Sequence, residues 1–183
     1  MKINFLLSIA LVVCFSSCKK NNPGPYIGSE PTDNNTWKYD GTGDGNVGTN
    51  NDVDITFPIQ SNLNVNGTAH LSTNTFVRND LNLNESGKVI VNAISITDTI
   101  YLNGNVNVND SLLINRGIVK VARDFNINNR GFVNCSDSAQ IIIGGSLNQA
   151  GTLWGNKLVK AKVKNINNPE KTFDESFFIY MKN

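Results

Sequence analysis

From about residue 55 the chain alternates apolar and polar positions with a period of two, and the polar partner is most often Asn. The clearest units are Leu63-Asn64-Val65-Asn66, Leu81-Asn82-Leu83-Asn84, Val106-Asn107-Val108-Asn109 and Phe125-Asn126-Ile127-Asn128, with a weaker copy at Leu147-Asn148. A period of two is that of a strand with one face buried. Asn forms strands poorly, so burial of the interleaved Leu, Val, Ile and Phe has to drive the structure. No 3.6-residue period persists, and a helical domain is not expected.

The units begin at 63, 81, 106, 125 and 147, with spacings of 18, 25, 19 and 22. An irregular repeat of this size predicts a solenoid. The residue before each unit (Asn62, Asp80, Asn105, Asp124, Ser146) favours turns. Gly recurs at 67, 87, 104, 117, 131, 144, 145 and 151, where a tight corner would call for positive φ. Further apolar strands fall between the units, at 89–91, 94–96, 100–102, 112–114, 118–121 and 141–143. Two or three strands per repeat, cornered by Gly or Asn, predict a single-domain, all-β parallel β-helix over 55–157. The alternative is an antiparallel β-sandwich. The sparseness of Asn-Gly hairpin signals in this region, with only Asn66-Gly67 and Asn103-Gly104, favours the solenoid. In texture, and best at Gly104-Asn105-Val106-Asn107-Val108-Asn109, the region resembles right-handed β-helix proteins, including the short bactofilin-like solenoids. That resemblance implies self-assembly through solenoid ends as one alternative role.

The ends are different. Residues 158–164 alternate small apolar residues with Lys, and Phe173, Phe177, Phe178, Ile179 and Tyr180 follow a turn signal at Asn168-Pro169. These residues, 158–183, are expected to form capping strands, a hairpin or strand pair closing the open end. Lys157, Lys160, Lys162 and Lys164 make the densest charge cluster, read as edge protection or as a patch facing anionic lipid or glycan. At the other end, Met1-Lys2 precede a short apolar run from Phe5 to Phe15, then Ser16-Ser17-Cys18 and two Lys. That order is a secretory leader, too short to span a bilayer. Its Cys-terminated cut site resembles the lipobox of bacterial lipoproteins, although Phe15 stands where Leu is usual. The resemblance implies cleavage after residue 17, a diacylglycerol thioether and acylated amine on Cys18, and lipid anchoring outside the cytoplasm in the bacterial envelope, the outer membrane being favoured. Residues 18–54, rich in Gly, Asn, Asp and Pro, read as the lipidated Cys and a tether, with Trp37 and Tyr39 docking on the domain edge.

Charge and chemistry narrow the role. Losing Lys2 with the leader leaves 15 basic against 15 acidic residues, which argues against a nucleic-acid partner. Cys14 leaves with the leader and Cys18 is lipidated, so Cys135 has no disulfide partner and reads as a small buried apolar residue. The one His, His70, lies on the polar phase of a strand and lacks the companions of a triad or a zinc site. Asp40 to Asn46 is faintly like a calcium loop, but Asn51 stands where a Glu would be needed. No metal or other cofactor is called for. Arg78 and Asp80 with Arg123 and Asp124 are the stacked candidates for a polysaccharide-acting β-helix enzyme, the runner-up reading.

The expected architecture is therefore about five rungs, roughly 20–25 Å long at the ordinary rung spacing. The expected role is non-enzymatic: a structural or binding lipoprotein of the envelope, attached to the membrane by lipid. A rigid outward face would carry Asn64, Asn66, Asn82, Asn84, Asn107, Asn109, Asn126 and Asn128. A glycan or an envelope protein is the partner such a face would take.

Overall fold

The structure, a computed structural model, describes residues 37, 39–155, 159–166 and 179–180. The expected leader, the lipidated Cys18 and most of 167–183 lie outside the described residues. The rest is all β. The first coil holds β1 (Gly45–Val47), β2 (Asp52–Ile55) and β3 (Pro58–Ile59). The second holds β4 (Leu63–Val65), β5 (Thr68–Leu71) and β6 (Phe76–Val77), and the third β7 (Leu81–Leu83), β8 (Lys88–Asn92) and β9 (Thr99–Leu102). Then come β10 (Val106–Val108), β11 (Ser111–Val121), β12 (Phe125–Ile127), β13 (Phe132–Cys135), β14 (Ala139–Gln149), β15 (Thr152–Trp154), β16 (Val159–Ile166) and β17 (Ile179–Tyr180).

Pairing sorts these strands into three stacks. The first runs β1, β4, β7, β10, β12 and the ends of β14 and β16. The second runs β2, β5, β8, the start of β11, β13 and β15. The third runs β3, β6, β9, the end of β11, the starts of β14 and β16, and β17. Every pairing is parallel, which rules out the sandwich and leaves a β-solenoid of about six turns. Seven levels in the first stack span about 29 Å at ~4.8 Å per rung, more than the five-rung expectation.

The extra coils explain the difference. Gly45-Asn46-Val47 lies in register with Leu63-Asn64-Val65, so stacking starts about ten residues before the expected boundary at 55. At the far end β16 stacks parallel on β14, and β17 parallel on β16. The C-terminal strands are thus a stacked pair that continues the solenoid, and not a hairpin.

From β1 to β15, one phase of each strand faces a common core. Leu63, Leu81, Val106, Phe125 and Leu147 meet along the axis, as do Val47, Val65, Leu83, Val108 and Ile127, all at most 1% exposed. Burial of this kind is worth about 1.5–3 kcal/mol per large side chain. At the N-terminal end Trp37, Tyr39 and Phe57 pack against the core. The Trp37–Tyr39 and Tyr39–Phe57 ring pairs stack with centroids 6.0 and 5.5 Å apart. A Cβ on the inward-facing Gly45 would lie 3.1 Å from Trp37 Cη2, so the indole fills the space a side chain would have taken.

The corners hold a correction. Of the glycines expected to need positive φ, Gly117 does so (φ 98). At Gly67 and Gly131 the reason is close approach, since a Cβ would fall 2.2 Å from Gly48 O and 2.3 Å from Val108 O respectively. Corners from the third stack to the first keep three residues at 60–62, 78–80, 103–105, 122–124 and, inside β14, 144–146, and shorten to two, 162–163, inside β16. Corners from the second to the third vary from two, at 56–57 and inside β11 at 115–116, to six at 93–98.

Candidate functional site

The outward phase of the first stack places one Asn above another at every level. Asn64 Nδ2 donates to Asn46 Oδ1 at 3.0 Å and Asn82 Nδ2 to Asn64 Oδ1 at 2.9 Å. Asn107 Nδ2 donates to Asn82 Oδ1 at 2.8 Å and Asn126 Nδ2 to Asn107 Oδ1 at 2.7 Å. Asn148 and Asn165 continue the file, each at 2.8 Å. Seven amides make one unbroken ladder of six bonds, each amide after Asn46 donating to the preceding coil, while Asn46 Nδ2 donates to Asp44 O. An amide is suited to this because it carries a donor and an acceptor on one planar group. Each such bond contributes about 0.5–1.5 kcal/mol net.

The neighbouring column is less regular. Asn84 Nδ2 donates to Asn66 Oδ1 at 3.0 Å and Asn128 Nδ2 to Asn109 Oδ1 at 2.7 Å. Between these pairs Asn109 turns to the backbone and donates to Leu83 O at 2.8 Å. All eight expected face residues therefore point outward. They are nevertheless half-buried except Asn128, and much of their hydrogen bonding is spent on one another.

The constant corner carries a third file. Asp44 Oδ1 accepts from the Asn62 backbone N–H at 3.0 Å, and Asn62 Oδ1 from that of Asp80 at 3.1 Å. Asp80 Oδ1 accepts from the Asn105 N–H at 2.7 Å, Asn105 Oδ1 from that of Asp124 at 3.2 Å, and Asp124 Oδ1 from that of Ser146 at 2.8 Å. The residues read as turn formers thus bond the next coil instead of their own turn. Bonds from Ser61 and Asn62 hold the Asp44 carboxyl below the usual carboxylate range. Asp40 is lowered likewise by Thr42 and Gly43, so the stretch faintly like a calcium loop turns its first carboxylate to its own turn.

The structure brings Arg78, Asp80 and Arg123 together around a half-open cleft of about 240 Å³ on this corner, with Asn62, Asn79, Asn103 and Gly104. Asp124 does not line it. Of the remaining candidates, His70 points outward, with Nε2 2.7 Å from Asp52 Oδ1. Cys135 is 2% exposed, and burial, with Asp137 adding to it, pushes its thiol up to about 12. The Lys cluster is divided: Lys162 is exposed, whereas Lys164 takes the inward register position opposite Leu147, with Nζ buried. No group of three or more His, Cys, Asp or Glu suited to a metal occurs among the described residues.

Asn46 and Asn165 were missed in the sequence because Gly45 and Lys164 stand at apolar positions of their units. The signal was the Asn column itself, 18 residues before Asn64 and 17 after Asn148. No family model matches the chain, and no curated protein or solved structure matches it either.

Proposed function

We propose that this protein is a structural lipoprotein of the bacterial envelope: a short rigid solenoid held to the membrane by lipid on Cys18. The observation that carries the structural half is the unbroken amide ladder from Asn46 to Asn165. Its bonds run along the stack, so its chief effect is to stiffen the sheet. The corner carboxylates Asp80 and Asp124 are likewise engaged with backbone N–H groups, which favours scaffold over acid–base chemistry. The anchor rests on the leader residues that end at Cys18. Several acyl chains hold a protein durably, at about 0.8 kcal/mol per buried methylene.

Two measurements test the halves separately. Cells grown with labelled fatty acid should yield a labelled, membrane-sedimenting protein, and Cys18→Ala should abolish both. A Cys18→Ala protein that still labels and sediments removes the anchor from the proposal. In a glycan-binding screen the full chain should show no binding that depends on the ladder. Saturable binding lost in an Asn82→Asp/Asn107→Asp double variant would replace the structural role by a recognition role.

A further inference from the structure

Four arginines occur in the chain, all within described residues. Two are engaged: Arg116 donates to Ile94 O at 3.3 Å, and Arg130 lies 3.4 Å from Glu85 Oε1. The side chains of the other two, Arg78 and Arg123, make no hydrogen bond or ion pair among the described residues. Those two line the same cleft. They come from corners two coils apart, about 10 Å along the axis.

The coil between them supplies Gly104, which stacks between Asn79 and Arg123 in the middle of the three-residue corner. A Cβ there would fall 2.3 Å from Asp80 Oδ1 and 2.4 Å from Asn79 O, so the fold itself enforces the notch. Backbone donors at this corner are already spent. Asn103 N–H donates to Val77 O, Gly104 N–H to Asn79 O and Asn105 N–H to Asp80 Oδ1. Recognition falls to side chains: two guanidinium groups and the exposed amide of Asn103, which has no partner of its own among the described residues. Asp80 is the one acid in the lining, and its Oδ1 is turned to the Asn105 N–H. The lining therefore carries one net positive charge.

We infer that this cleft binds an oxyanion of the phosphate or sulfate type, gripped between Arg78 and Arg123. A guanidinium presents a rigid fork of donors that matches such oxygens in pairs. A tetrahedral group offers oxygens to donors approaching from two coils, whereas a carboxylate has only two oxygens in one plane. The group could arrive as a free ion or as the headgroup of an anionic lipid, and the experiment separates these sources.

The full chain in non-ionic detergent at low ionic strength is titrated calorimetrically with inorganic phosphate and, separately, with sulfate. In a second arm the full-length Cys18→Ala protein is floated with vesicles of phosphatidylglycerol and phosphatidylcholine, or of phosphatidylcholine alone. Arg78→Ala and Arg123→Ala should each weaken binding about tenfold. Arg116→Ala should leave it unchanged, and Arg78→Lys should retain part of it. Saturable, Arg78-dependent binding of the free ions makes a small oxyanion the ligand. Arg78-dependent flotation confined to phosphatidylglycerol vesicles makes it a headgroup. Absence of saturable binding in both arms, or equal losses for Arg78→Ala and Arg116→Ala, overturns the inference. Arg78, Arg116 and Arg123 are exposed, so melting temperatures of their variants should stay within a degree or two and a folding defect would be visible.

Discussion

The outward faces of the first and third stacks are built on opposite plans. On the first, one residue type repeats at every level from Asn46 to Asn165. On the third, the matching outward column reads Pro58, Phe76, Tyr101, Lys120, Ile142 and Lys160, with no shared chemistry beyond Lys120 Nζ lying 6.0 Å from the Tyr101 ring centroid. Both stacks have the same parallel backbone pairing and a largely apolar interior, which in the first stack is interrupted by Gly45, Gln149 and Lys164. The corners differ accordingly. Those leading into the ladder keep three residues as far as β14 and two inside β16, while those leading into the third stack range from two to six. Backbone pairing and burial suffice to stack coils, but the side-chain file that bonds across each level goes with an entry corner of nearly constant length, and the spacing between levels, 17 to 25 residues, varies mainly elsewhere in the coil.

The sharpest way to break this comparison is an insertion. One Gly between Asn107 and Val108 would move the rest of β10 to the wrong phase and should cost more than about 4 kcal/mol, or prevent folding. The same insertion after Ile96, in the six-residue corner, should cost under about 1 kcal/mol. Chemical denaturation reads both, and equal effects would show that the ladder sets no register. Next in size, Asn107→Asp keeps an acceptor for Asn126 but sets an oxygen against Asn82 Oδ1. It should cost about 2 kcal/mol, whereas Lys120→Ala on the third stack should stay within about 0.5 kcal/mol.

A pH scan sharpens the contrast, because the amide ladder contains no titrating group. Cys135, inside the second stack, is held neutral by burial. Its thiol is raised in the folded state from 9.0 to about 12, so its contribution is complete below pH 9.0 and is lost as pH rises through that window. The unfolding free energy should fall by about 1.4 kcal/mol per pH unit there. The slope should flatten in Cys135→Val, and should be unchanged in ladder variants. The smallest effect lies on the acid side. Bonds from Ser61 and Asn62 lower the folded pKa of Asp44, so its contribution is present above the ordinary carboxylate value of 3.8 and is lost as pH falls below it. Because Asp44 is almost fully exposed, Asp44→Asn should change the acid limb of the melting curve only slightly.

The sequence announced the solenoid where apolar side chains filled both inward positions of a unit, from Leu63 to Ile127, and more weakly at Leu147, whose second inward position holds Gln149. It hid the first and last coils because the inward positions there hold Gly45, covered by Trp37, and Lys164. Pairing partners were legible only as a spacing, and 18, 25, 19 and 22 give a period without saying which corner absorbs the variation. The register of the Asn ladder follows from alternation, since residues opposite inward neighbours must meet outside. The corner file does not, because Asp80 could equally have bonded its own turn. The cleft was half visible. Arg78, Asp80 and Arg123 stood out as a set, but the notch at Gly104 is a property of stacked backbones and has no local sequence signature.

The amide file has a direction. Every Nδ2 gives its proton toward the N-terminal end, so the carbonyl dipoles add head to tail down one side of the molecule. Reversing any single inner member would press oxygen on oxygen at one neighbour and proton on proton at the other. The seven can therefore turn over only in concert, and a sheet whose two ends would otherwise be electrically alike acquires a distinct donor pole and a distinct acceptor pole.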